Sequence, residues 1–421
     1  MSVPLSTLTR TFARIGLLSF GGPAAQIALM HEELVARRQW LTERQYLSAL
    51  SFCMMLPGPE AMQLCTYAGW RLRGIPGGLI AGCLFVLPGA LVVLTLALAY
   101  AAYGQVPLVQ SLFLGIQAAV VVVVVQALIK ISRRAFGPGY MAEGLALAAL
   151  AFLAIYALGL PFPLIIAAAA LWGALRSTNL QIGPAPTLPP GSARRTLLTV
   201  VIFATLWVAP FALTRGTPLL TELGLFFSQL AVVTFGGAYA VLAYMTQEAV
   251  STHQWLTTAE MIDGLGLAET TPGPLILVTE FVAALTGAKQ SVPMALAAAA
   301  LTLWVTFIPC FLWIFAGAPY LEWITHQPRL AGALRAITAA VVGVIANLSL
   351  WFALHVLFVT VHTRWPGTAT HRPATPDWST LDPAALALTA LAALLLLALR
   401  LGLAATLALM ALAGGLAGSL L

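Results

Sequence analysis

Nine stretches of this chain are mostly apolar: 76–101, 107–130, 138–158, 160–176, 195–214, 293–318, 335–358, 383–399 and 401–421. A helix needs about 20 mostly apolar residues to cross the hydrocarbon of a bilayer. The pattern therefore predicts an all-α, polytopic membrane protein, with soft boundaries where a run is slightly short. Two segments break the pattern with polar, Gly- and Pro-rich sequence: 177–193, containing GPAPTLPPG, and 362–382, containing RWPGTATHRPATPDW. Both read as solvent loops, and nothing suggests a soluble domain.

Composition agrees with lipid as the solvent. Sixty per cent of residues are apolar and 8% are charged, and mean hydropathy is +0.94. A soluble protein of that balance would expose large apolar patches. Residues Met1 to Arg14 lack an apolar run ending in a small-residue cleavage site, so no cleavable signal peptide is expected and the first membrane segments do the targeting. The net charge of +6 is a topology signal here, not a nucleic-acid footprint. Cys53, Cys65, Cys83 and Cys310 lie in apolar stretches without CxxC spacing and read as packing thiols. His31-Glu32 resembles the start of a zinc-protease motif, but Val35 stands where the second histidine would be. No metal or other cofactor is expected.

The chain is also a duplication. Residues 20–59 lie on 235–274 at a constant offset of 215, with sixteen of forty positions identical. Phe20-Gly21-Gly22 falls on Phe235-Gly236-Gly237, Glu33 on Glu248, Gln39-Trp40-Leu41-Thr42 on Gln254-Trp255-Leu256-Thr257, and Pro57-Gly58-Pro59 on Pro272-Gly273-Pro274. Further on the offset becomes 221, where Ala118-Ala119-Val120 meets Ala339-Ala340-Val341. This divides the chain into a first half, 1–194, and a second half, 195–421, which opens on a connecting span at 195–214.

The copies read as inverted. Five spans separate them if the FGG and PGP segments both re-enter the membrane, and seven if both cross; either number is odd, and only a mixed case would make the copies parallel. Arg37, Arg38, Arg44, Arg71 and Arg73 precede the span at 76, and Lys130, Arg133 and Arg134 follow the next one. Arg176, Arg194 and Arg195 come after the fourth, while the turns 102–106 and 158–161 are uncharged. That alternation puts the clusters in the cytoplasm and favours re-entrant breaks. In the second half Arg329 and Arg335 fit the same rule, whereas Lys289, Arg364 and Arg372 would lie outside.

The breaks carry the candidate chemistry. A PGP triplet removes two backbone donors and interrupts the helical ladder. In hydrocarbon this is tolerable only where protein or a water-filled cavity surrounds it. Matching breaks in two inverted halves point to a transport site, because half-helix N-termini can face an anion; the plainer alternative is a packing kink. The candidate binding set is Gly21, Gly22, Gln26, Pro57, Gly58, Pro59, Gln63, Gly236, Gly237, Tyr239, Thr270, Thr271, Pro272, Gly273 and Pro274. Ser19, Thr66 and Thr234 are further polar neighbours, each equally readable as a helix-packing hydroxyl.

Glu60 follows the first PGP and Glu269 lies three residues before the second. Intramembrane carboxylates are costly and are functional candidates by default. A carboxylate near an oxyanion repels it unless protonated, so both are candidates for proton coupling. Glu60 also starts a helix, where the dipole favours a charged cap, and that alternative stays open. Asp263 and Glu280 are weaker candidates. Gln117, Gln126 and Asn347 read as helix–helix glue, Arg335 and Lys130 as snorkelling span ends, and Trp40 and Trp255 as interfacial anchors.

SFGGPAAQIALMHEELV (19–35), ALSFCMMLPGPEAMQL (49–64) and GGLIAGCLFVLPG (77–89), with TFGGAYAVL (234–242) and MIDGLGLAETTPGPLILVTEFV (261–282), closely resemble the long-chain chromate ion transporter family. The resemblance covers the duplicated cores of both halves. It implies a bidomain inner-membrane carrier with antiparallel halves that exports chromate and confers chromate resistance, driven by the membrane potential or a proton gradient. It implies sulfate as competitor or counter-ion. The family's motif positions fall on Gly21, Gly22, Pro57, Gly58, Pro59, Glu60, Gly236, Gly237, Glu269, Thr270, Pro272, Gly273 and Pro274. Residue chemistry alone reaches a secondary transporter of a small anion; sulfate, molybdate or another oxyanion remains open as substrate, as does an anion channel. An intramembrane enzyme is disfavoured, since no nucleophile–base pair stands at helical spacing. A homodimer is an open expectation.

Overall fold

The apolar runs fold as helices. In the computed structural model, residues 3–137, 139–177, 192–235, 238–362 and 374–420 are described. Gly236, Gly237, Arg364, Arg372 and most of the two expected loops, 178–191 and 363–373, lie outside them. The chain begins α1 (Leu5–Leu17), α2 (Gly22–His31), α3 (Glu43–Met55), α4 (Glu60–Tyr103), α5 (Pro107–Ala135), α6 (Met141–Tyr156) and α7 (Phe162–Arg176). It continues α8 (Ser192–Val208), α9 (Pro210–Leu213), α10 (Pro218–Val233), α11 (Ala238–Gln247), α12 (Thr258–Thr270) and α13 (Val278–Ala288). α14 (Val292–Gly317), α15 (Leu321–Thr325), α16 (Pro328–Leu357), α17 (Pro383–Ala393) and α18 (Leu403–Leu420) complete it. The strands among the described residues are Val361–His362 and Thr375–Pro376, a short antiparallel pair at the edges of the second loop.

Among the described residues, five helical stretches are long and apolar enough to cross a membrane: Glu60–Tyr103, Pro107–Ala135, Ala193–Leu213, Val292–Thr325 and Pro328–Leu357. The protein is a multi-pass membrane protein. Leucines that a soluble domain would hide stand outward on several helices, among them Leu91, Leu150, Leu171 and Leu197.

The duplication reaches into local backbone devices. α2 and α11 each run on into a wide π-helical turn, Glu32–Arg37 and Glu248–Thr252. Gln39 and Gln254 then take left-handed conformations, at φ 52° and 53°. Each following helix opens with a reciprocal cap: Thr42 with Gln45, and Thr257 with Glu260. Such boxes satisfy amides that a helix start leaves unpaired.

The helices beside the breaks are short. Thirteen residues, as in α1 and α3, rise about 20 Å, less than the roughly 30 Å of hydrocarbon. α1 and α2 fold back on each other: Glu33, beyond α2, lies 3.7 Å from Arg14 on α1. Arg37 and Arg38 also engage the buried Glu33 carboxylate, at 3.1 and 3.6 Å. The FGG turn is thus the tip of a helical hairpin. Glu33→Ala is expected to cost roughly 2 kcal/mol, less than a fully buried ion pair because the arginines are largely exposed; a melting temperature in detergent equal to wild type would show the anchor to be idle. α4 is itself a hairpin, turning at Arg73 and Gly74, with Gly69 pressed on the Gly77 carbonyl.

The helices gather into two compact units, each drawing on both halves of the sequence. Unit 1 comprises 1–98, 177–238 and 271–331; unit 2 comprises 99–176, 239–270 and 332–421. Small residues permit the close crossings that hold a membrane bundle together. Gly16 abuts the Leu84 carbonyl in unit 1, while Gly115 meets Met410 and Gly343 meets Ala148 in unit 2. All four cysteines are free. Trp255 is buried and stacked on His253, so it packs inward and does not stand as an exposed anchor. Arg335 lies 3.8 Å over the Tyr140 ring.

Candidate functional site

In a PGP triplet only the central glycine keeps an amide proton. Gly58 donates that proton to the Thr234 carbonyl at 2.8 Å, and Gly273 donates to the Ser19 carbonyl at 2.9 Å. Ser19 and Thr234 are equivalent under the repeat, as are Gly58 and Gly273. Each PGP therefore pairs with the FGG break of the other half, all within unit 1. The long helices follow the same exchange. Pro88 and Pro309 correspond at the 221 offset; the next residue in the first half, Gly89, abuts the Pro272 carbonyl. Its counterpart Cys310 holds its Sγ 2.9 Å from where a Cβ on Gly58 would lie.

Side chains patch the freed carbonyls. Gln26 Nε2 donates to the Gly273 carbonyl at 2.6 Å and the Ser19 carbonyl at 3.3 Å, which commits both amide protons. Gln63 Nε2 donates to the Pro57 carbonyl at 2.7 Å. The Oε1 atoms of both glutamines are buried without a partner. The hydroxyls of Ser19, Thr66 and Thr234 donate to carbonyls one turn back in their own helices, and Thr270 to that of Leu267. In this state they are packing hydroxyls.

Access is unequal. Phe20 and Gly21 are exposed, Gly22, Pro57 and Glu60 are half-buried, and Gly58 and Pro59 are buried. The second break, from Thr271 through Pro274, is buried throughout. α4 starts at Glu60 directly after its triplet. The second triplet leads first into a tight 3₁₀ turn, Leu275–Leu277, before α13.

Tyr239, Thr270 and Glu269 belong to unit 2. There Tyr239 donates its hydroxyl to Glu269 Oε1 at 2.8 Å, which joins two sequence candidates. Asp263, 5% exposed, accepts from Tyr100 at 2.6 Å and from Gln117 Nε2 at 2.7 Å. Gln117 is thus glue, as its sequence setting suggested; Tyr100 was missed, because an isolated tyrosine in an apolar run carries no periodic signal. Gly89 and Cys310 were missed too, although extending the 221 offset to Pro88 and Pro309 would have found them.

Duplicated, broken helices inside a multi-pass membrane protein define a transporter. The comparisons name the kind: the chromate transporter family matches residues 6–174 and 221–419, and the chain belongs to that family. It is 32% identical over 357 residues to a chromate transport protein of Pseudomonas aeruginosa, covering 82% of this chain and 80% of that one. It is 29% identical over 349 residues to the chromate transport protein of Cupriavidus metallidurans, covering 82% and 81%. No solved structure matches.

Proposed function

We propose that the protein is a secondary active transporter that exports chromate across the inner (plasma) membrane and thereby confers chromate resistance. The observation that supports this reading is the reciprocal pair of bonds, Gly58 to Thr234 and Gly273 to Ser19. Duplicated breaks joined by equivalent contacts give a chain two near-equivalent arrangements, which alternating access requires. In the arrangement described, Pro57 and Glu60 are half-open and Pro272–Pro274 are closed. The halves are antiparallel, and exchanging their conformations opens the second break and closes the first. The anion lies against the break backbone, at Gly21, Gly22, Pro57–Pro59 and Pro272–Pro274, where the first-turn amides of α4 supply partial positive charge.

Glu60 and Glu269 are the proton-coupling groups of this scheme, and Tyr239 holds Glu269 in place. Sulfate, equal in shape and charge, competes. The purified protein in vesicles tests the reading. Chromate flux against its gradient, slowed by sulfate and collapsed by an uncoupler, supports the carrier; flux that only runs downhill and ignores an uncoupler makes it a channel. Glu269→Gln is expected to flatten the pH dependence of flux. A profile unchanged from wild type would leave Glu269 as the structural partner of Tyr239 alone.

A further inference from the structure

One buried carboxylate that this scheme does not use has an oxygen without a partner. Glu280 is 1% exposed on α13, and its Oε2 has no hydrogen-bond partner. An ionised carboxylate without partners is not sustained in an apolar interior; it is neutralised or finds a donor. The same unit buries two hydroxyls without partners, Thr302 Oγ1 and Thr306 Oγ1, one turn apart on α14.

α13 and α14 form an antiparallel hairpin, with Gly287 packed on Ala295 near its tip. Roughly two turns back along either arm, at matching positions of the hairpin register, stand Glu280 and Thr302. The first half confirms the register: Cys65 and Ala81 are the repeat equivalents of Glu280 and Thr302, and the Cys65 thiol donates to the Ala81 carbonyl at 3.5 Å. A packing pair in one half has become a carboxyl and a hydroxyl in the other. The pair adjoins the break. Leu277, three residues before Glu280, touches the positions that a Cβ on Gly89 or Gly273 would occupy. Thr306 reaches the other break, since its carbonyl accepts from Cys310 Sγ at 3.3 Å. Among the described residues, the titratable groups on the helices most closely packed against α13 are Cys310 on α14 and Glu222 on α10; Lys289 caps the end of α13 itself.

We propose that Glu280 binds one proton when an oxyanion occupies the breaks of unit 1, its new O–H donating to Thr302 Oγ1. This rests on the oxyanion-carrier reading. An arriving anion raises the cost of a nearby carboxylate charge, so anion and proton bind with positive coupling, and each tightens the other equally. The balance is one proton taken from water onto Oε2 on binding and returned on release. Glu280 acts through this charge and does not itself touch the anion.

Proton uptake on chromate binding tests it, measured on the intact, detergent-purified protein in weak buffer from neutral to alkaline pH, where the carboxyl of the empty protein is still in part ionised. Wild type is expected to take up about one more proton per chromate bound than Glu280→Gln; the difference cancels the ion's own protonation. Wild-type affinity should fall by up to about tenfold per pH unit above the midpoint, and the Gln variant should be flatter. Thr302→Val keeps the carboxyl but removes the acceptor, and should move the uptake midpoint to lower pH. Equal uptake by wild type and Glu280→Gln overturns the proposal, as does an unmoved midpoint in Thr302→Val should the Gln variant fail to fold. Wild-type protein that binds neither chromate nor sulfate removes the carrier reading, and this inference with it.

Discussion

Gly58→Leu and Gly273→Leu are expected to abolish chromate flux while leaving the protein in the membrane. Both glycines sit at positive φ, 119° and 91°, where an L side chain costs about 1–3 kcal/mol of backbone strain. Space is a second obstacle. A Cβ on Gly58 would lie 2.8 Å from Gln63 Nε2 and 2.9 Å from Cys310 Sγ; one on Gly273 would lie 3.0 Å from Leu277 and 3.4 Å from the Gly89 Cα. The spans are untouched, so insertion should persist and the loss should fall on the crossed bonds. Vesicle uptake normalised to membrane abundance reads the effect, expected to exceed tenfold because 1.4 kcal/mol already corresponds to about that factor. Gly58→Ala combined with Cys310→Ala should transport faster than Gly58→Ala alone, since the smaller neighbour yields room. Wild-type flux in either leucine variant would sink the assignment of the breaks.

The second large effect is on stability. Tyr100→Phe together with Gln117→Leu leaves Asp263 buried with neither of its two donors. Stranding a buried polar group costs about 1–3 kcal/mol, more if it is charged. The two changes share one acceptor, so their effects should not add. Thermal unfolding in detergent should show the double variant well below wild type, and Asp263→Leu added to it should recover part of the loss by removing the stranded group. A double variant that melts with wild type would mean that the cluster contributes nothing.

Much of this fold was legible because its physics is local and repeated. Apolar runs marked helices, most of them to within a few residues, and the FGG and PGP triplets marked the backbone interruptions. The matched Gln39 and Gln254, and the matched capping boxes, follow from near-identical local sequence. What could not be read was which break meets which. Gly58 and Thr234 carry no mutual signal in the chain, since a backbone amide and a backbone carbonyl look alike at every position. The tasks of the polar side chains were equally hidden. Gln26 looked like a donor for an anion; both of its amide protons are committed to carbonyls that the breaks had freed. Glu280 passed as one more acidic residue until its burial and its partnerless oxygen were seen.

The crossed pairing also constrains how such a chain is made. Gln26 finds its closest acceptor 247 residues downstream, at Gly273. A ribosome that has delivered only the first repeat has therefore made a hairpin whose Ser19 carbonyl and Gln26 amide lack the Gly273 partners of the finished fold. Those groups must be sheltered by water, lipid headgroups or an insertion chaperone until the second triplet arrives. A first repeat synthesised by itself should accumulate as a protease-sensitive species, and supplying the second repeat as a separate polypeptide should rescue it.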